Sequence, residues 1–219
     1  EAQDALEPLI GNYALVDNYA DLFVPGTNSE AIFKLNYSTD DSNALAFYFY
    51  PSADGGRRES APTLDLAASF EAGDERVGLI QNPTDVTSII LTKYSDVATG
   101  TDQPNIYRYA DVLLMYAELL ARDNDPTASD YINEVRERAN AGDVVLTSGN
   151  FVDIIAQERL FELYGEGHRW FDIKRLGLAQ EVIESKGLNF NENRLVWPIP
   201  QSEIDANESM TQADQNPGY

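Results

Sequence analysis

The sequence predicts a mostly α-helical fold, with helices paired as hairpins and with short strands and long ordered loops between them. Three observations carry this. Residues 105–123 hold an apolar stripe of Ala110, Leu113, Leu114, Ala117, Leu120 and Ala121 at three- and four-residue spacing. Residues 126–140 hold a second stripe, Ala128, Tyr131, Ile132, Val135 and Ala139. A third helical pattern over 150–164, with Ile154, Ile155, Leu160, Phe161, Leu163 and Tyr164, stops at Gly165-Glu166-Gly167.

Taken in order, the chain opens with a helix tail over 2–10, broken at Pro8 and Gly11. Short apolar pieces follow, then turn chemistry at Pro25-Gly26-Thr27-Asn28. Residues 31–35 read as a strand, with Ile32, Phe33 and Leu35 apolar. Residues 37–59 are the least regular stretch. Residues 61–70 form a short helix with Pro62 near its first turn and Thr63 or Ser60 as cap. Residues 88–94 alternate and are β-branched, so a strand is predicted there.

The helix over 105–123 ends at Asn124-Asp125-Pro126, with Asp125 capping the next helix and Pro126 at its first position. Two such helices joined by a tight turn make a hairpin of the tetratricopeptide type. One pair cannot bury its own face, so it must stack on neighbours. The expectation is a large exposed apolar patch over 105–123, or a partner chain covering it. The third helix is capped by Asn150 or Asp153 and ends at the Gly165–Gly167 break. Helices resume over 168–175 and 176–185, and Gly187 ends the last. Leu195-Val196-Trp197-Pro198-Ile199-Pro200 is extended, because each proline keeps its predecessor out of the helical region. Ser202 caps a final turn.

A chain of 219 residues is long enough for one domain with a sizeable core. Its net charge of −22 disfavours nucleic acid and anionic lipid, which are repelled over about 10 Å. The absence of cysteine rules out disulfides and thiolate metal sites. No apolar run approaches the roughly 20 residues that span a bilayer, and no signal peptide opens the chain. Any membrane attachment is expected outside these residues.

Several residues invite a chemical reading. Phe47-Tyr48-Phe49-Tyr50, followed by Pro51 and Asp54-Gly55-Gly56-Arg57-Arg58, suits a carbohydrate surface, with sugar C–H faces on rings and hydroxyls on Arg and Asp. The competing reading is a buried strand whose phenols find backbone partners. His168 is the only histidine, too little for a zinc site, and reads as buried or half-buried, hydrogen-bonded packing. Glu158 and Glu162 share a helix face, as a glycosidase pair could, but Arg159, Arg169 and Arg175 nearby favour ion pairing. Asp123, Asp125 and Glu134 have calcium-loop spacing, but Ala128 replaces the required glycine and Pro126 intrudes. Asp40, Asp41 and Asn43 are no stronger. No catalytic residue, metal site or cofactor is expected.

Several stretches resemble, in order, the SusD/RagB family of outer-membrane nutrient-binding lipoproteins. They are NYADLF (18–23) with EAIFKL (30–35), PTLDL (62–66), YRYADVLLMYAE (107–118), INEVRERA (132–139), ELYGEGHRWFDIKR (162–175), LVWPIPQSEI (195–204) and QNPGY (215–219). The resemblance covers nearly the whole chain but only the C-terminal half of the family, without its lipid-attachment cysteine. It implies one continuous SusD-like domain in two stretches. Residues 1–104 are loop-rich and carry the candidate ligand surface, and 105–219 carry the hairpin and closing motifs. It further implies a non-enzymatic protein on the outer face of the outer membrane, tethered only by an N-terminal lipid anchor outside this chain. Such a protein binds an oligosaccharide or polysaccharide (or peptide) and hands it to a SusC-like TonB-dependent transporter. The ligand residues expected from chemistry and from place between family segments are Tyr48, Tyr50 and Arg57, with Asp54 as a further hydroxyl partner. A glycoside hydrolase using paired carboxylates, and a repeat scaffold binding a protein segment, are the alternatives.

Overall fold

The computed structural model describes residues 1–80 and 89–219. They form two compact units, Glu1–Arg169 and Trp170–Tyr219.

The first unit is built around three helices, α4 (Tyr109–Arg122), α5 (Ala128–Arg138) and α6 (Phe151–Leu163). Their apolar stripes meet in one core, where Leu113, Leu114, Ala117, Ile132, Val135 and Ile155 are fully buried. The opening helix α1 (Ala2–Leu6) and the 3-10 turn after it add Leu6 and Leu9. The predicted hairpin is present, and the mostly helical fold class is correct. The predicted exposed patch over 105–123 is not formed. Helices α1, α5 and α6 cover the α4 stripe from within the chain.

The helix is also shorter than predicted at its start. Asn105–Arg108 is a strand, β2, paired antiparallel with β1 (Ala31–Lys34). Lys34 stands opposite Asn105 and Ala31 opposite Arg108, with a bulge between. An extended Pro104 leads in, and Ile106 and Tyr107 suit a pleated surface better than a first helical turn.

A second core in the same unit gathers Tyr19, Leu22, Ala46, Ile80, Leu91, Tyr94 and Tyr164 from loops and short helices. Helix α2 (Leu45–Phe49) and helix α3 (Leu64–Ser69) flank it. Thr63 caps α3, its Oγ1 accepting from Leu66 N at 3.2 Å. Residues 47–49 thus lie on a helical turn, not in the buried strand that competed with the ligand-surface reading. Of the strand predicted over 88–94, Ser88 lies outside the described residues. From Ile89 onward, among the described residues, a single bridge forms, between Ile80 and Leu91. One paired residue cannot hold a ladder, and Lys93 turns inward instead.

In the second unit, helices α7 (Arg169–Arg175), α8 (Ala179–Ser185) and α9 (Gln201–Ala206) alternate with extended chain. The proline-rich stretch is pinned by the tail. Gln215 bonds both Ile199 N (2.7 Å) and Ile199 O (2.9 Å), Asn216 Nδ2 donates to Trp197 O, and Tyr219 OH donates to Val196 O.

Candidate ligand cleft

The family-like motifs supply a buried web of charge. Arg76, Lys93 and Arg108 are essentially inaccessible to solvent. Asp74 receives Arg76 through Nε (3.0 Å) and Nη2 (2.7 Å). Arg76 Nη1 turns to Glu158 and Glu162. Arg108 binds Glu162 (2.6 Å), Glu30 (2.9 Å) and Glu166 (2.8 Å). Arg138 binds Glu30 and Glu162, and Arg136 binds Glu158 and Glu71.

Glu158 and Glu162 are therefore ion-paired, as expected, but with different arginines. Arg159 instead binds Asp111 on α4 at 2.5 Å. Arg169 donates to Ala156 O, and Arg175 binds Asp172. Burial alone would raise the Glu162 carboxyl, but Arg138, Arg108 and Arg76 outweigh it and hold it below the ordinary carboxylate range. Glu166 is held down in the same way by Arg108 and Lys93. The carboxylates of Glu158 and Glu162 are thus taken up by buried arginines and do not face an open cleft.

His168 is half-buried, and among the described residues no group of three or more His, Asp or Glu could hold a metal. Asp125, of the calcium-like spacing, instead holds Thr127 through its backbone N–H (2.9 Å) and hydroxyl (2.7 Å).

The four expected ligand residues sit on α2 and the loop behind it. Tyr48 is 40% exposed. Tyr50 is half-buried in the second core, and burial, then the Asp102 and Asp54 carboxylates, push its phenol up. Asp54 ends an exposed 3-10 turn, where Gly55 takes φ +85°. The loop folds back on α2 through Arg57 N donating to Phe47 O (2.7 Å). Gly56 is pressed so close that a Cβ there would overlap the Phe47 and Tyr50 carbonyls. The Arg57 side chain is exposed and paired with Glu59 at 2.7 Å.

Of these four, only Tyr48 lines the open cleft on this face. The cleft has a volume of about 470 Å³, within the usual range for small-molecule sites. Its other walls include Tyr37, Tyr94, Asn43, Asn105 and the Gly165–Gly167 turn, with apolar Leu35, Leu45 and Ile106 between them. Sequence reasoning missed these, because three distant segments build the cleft and no spacing links them. A second open cleft of about 530 Å³ lies along β1, lined by Asn28, Phe33, Lys34, Asn36 and Gln103 among others.

The sequence profile of the SusD family matches residues 79–219. The chain belongs to the SusD family. SusD-like protein P25 of Formosa agariphila is 35% identical, over 94% of this chain and 53% of that protein. Two solved structures share the fold. Surface glycan-binding protein A from Bacteroides thetaiotaomicron, in complex with laminarihexaose, superposes with a TM-score of 0.80 at 24% identity, covering 98% of this chain and 58% of that one. A SusD superfamily protein from Parabacteroides distasonis superposes with a TM-score of 0.79 at 26% identity, over 100% and 56%. The chain thus spans about half the length of these relatives.

Proposed function

We propose that this chain is part of a non-enzymatic glycan-binding protein on the outer face of the outer membrane, handing its ligand to a SusC-like TonB-dependent transporter. The observation that carries the reading is an open, aromatic-walled cleft beside α2 in a chain of the SusD family. A relative of the same fold holds laminarihexaose. Tyr48 offers a ring face for a sugar's C–H groups, and Tyr50, Asp54 and Arg57 extend the polar surface along the loop. No bond is broken. The glutamates that would serve an acid–base pair are spent in the buried web, so capture is by a preformed surface. Among the described residues no helix is long and apolar enough to cross a membrane.

Calorimetry against an oligosaccharide panel tests the reading. At least one glycan should bind, and Tyr48→Ala and Tyr50→Ala should weaken it. Stacking of this kind is worth about 0.5–1.5 kcal/mol, or roughly 2- to 13-fold. Unchanged affinity in both variants refutes the residue assignment. Reducing ends released from any polysaccharide by the protein refute the binding-only mechanism.

A further inference from the structure

Asn105 lines the cleft and is only 4% exposed. Its backbone is fixed in β2 opposite Lys34, and its Nδ2 donates to Leu22 O at 3.4 Å. That bond sets the orientation of the amide, because a flip would place two oxygens together. The other end, Oδ1, is buried with no hydrogen-bond partner among the described residues. Buried acceptors are nearly always paired, so an unmet one beside a cleft calls for a donor from outside the fold.

The neighbouring polar groups are already engaged. Asn43 Nδ2 donates to Asp102 O (2.8 Å) and its Oδ1 accepts from Leu45 N (3.0 Å). Glu166 is held by Lys93 (2.7 Å) and Arg108 (2.8 Å). No lining side chain is a cation, and the chain carries a net charge of −22.

We infer that this cleft takes an uncharged sugar ring, stacked on Tyr48 and donating one hydroxyl to Asn105 Oδ1, and that it rejects uronate and sulfated sugars. The inference rests on the glycan-binding reading and adds the class of sugar and the residue that selects it. Any sugar brings the missing hydroxyl donor, but a carboxylate or sulfate would find no cation among the lining residues, only the Glu166 carboxylate and a net charge of −22.

The test is calorimetry of the wild type and Asn105→Leu with laminarihexaose, maltohexaose, a hexuronate and a sulfated galacto-oligosaccharide. A neutral hexaose should bind at least tenfold more tightly than either acidic one. Asn105→Leu should weaken that binding tenfold or more, while also giving up the 3.4 Å bond from Nδ2 to Leu22 O. Leucine-variant affinity within twofold of wild type, or an acidic sugar binding most tightly, overturns the inference but leaves glycan binding standing. No binding of any sugar removes both. If the leucine variant does not fold, the Asn105 side-chain amide resonances of the wild type decide. They should shift in a saturable way with the neutral hexaose, and resonances unmoved at saturation overturn the inference.

Discussion

Replacing Glu162 by Gln tests the buried web at its most connected point. Glu162 is fully buried and faces Arg76 (3.1 Å), Arg108 (2.6 Å) and Arg138. Gln keeps the shape and one acceptor, but it removes the charge and turns an NH2 group toward a guanidinium. Removing one partner of a buried pair costs about 3–5 kcal/mol, because the other charge is left uncompensated. Glu30, Asp74 and Glu158 still hold parts of the same arginines, which argues for the lower end. Stability of a domain is about 5–15 kcal/mol, so the loss is a large share of it. At about 2–4 °C per kcal/mol, the thermal midpoint should fall by about 6–20 °C. Urea unfolding followed by far-ultraviolet circular dichroism measures it, with Glu203→Gln on exposed α9 as a control that should move less than about 0.5 kcal/mol. The folded carboxyl lies below its unfolded value, so its contribution is present above pH 4.5 and fades as acid protonates it. The gap between wild type and variant should therefore close toward low pH. A loss under 1 kcal/mol at pH 7, or a gap independent of pH, would refute the web as a source of stability.

Gly165→Ala and Gly167→Ala should separate. Both residues have positive φ, but a Cβ on Gly165 meets the buried Leu91 side chain while one on Gly167 meets open space. About 1–2 kcal/mol is expected at Gly167 and clearly more at Gly165, read by thermal midpoint. Gly56→Ala should loosen the 51–57 loop from α2 and weaken glycan binding more than it lowers helix content, by calorimetry and circular dichroism. Burial raises the phenols of Tyr19, Tyr94 and Tyr164. The unfolded chain then loses these protons first, so stability falls as pH rises above 10. Absorbance at 295 nm should show these tyrosines silent until a cooperative step that coincides with unfolding. Their gradual titration in the folded protein would contradict the burial.

The helical part of the fold was legible because α4, α5 and α6 carry their burial in their own periodicity. The Gly165–Gly167 break was equally clear, since both glycines take positive φ. The strand at Asn105–Arg108 was not, because its pairing depends on β1 some seventy residues earlier. The use of Glu158 and Glu162 could be inferred from charge, but their partners could not. Arg76, Arg108, Arg136 and Arg138 come from other elements, whereas sequence reading sees only neighbours. Tyr48 was visible as an aromatic beside turn residues. Asn105 looked like the first residue of a helix, and nothing in its spacing marks an unmet oxygen.

The same web dictates when the first unit can fold as the chain is made. Arg76, Arg108, Arg136 and Arg138 all emerge before Glu158, Glu162 and Glu166, the carboxylates they converge on. Until α6 is made these arginines have, among the described residues, only Asp74, Glu30 and Glu71 to pair with, and their remaining N–H groups stay hydrated. Chain released before residue 158 should remain a substrate for proteases. The last turns of α6 act as the keystone, because they bring Glu158 and Glu162 to arginines made earlier.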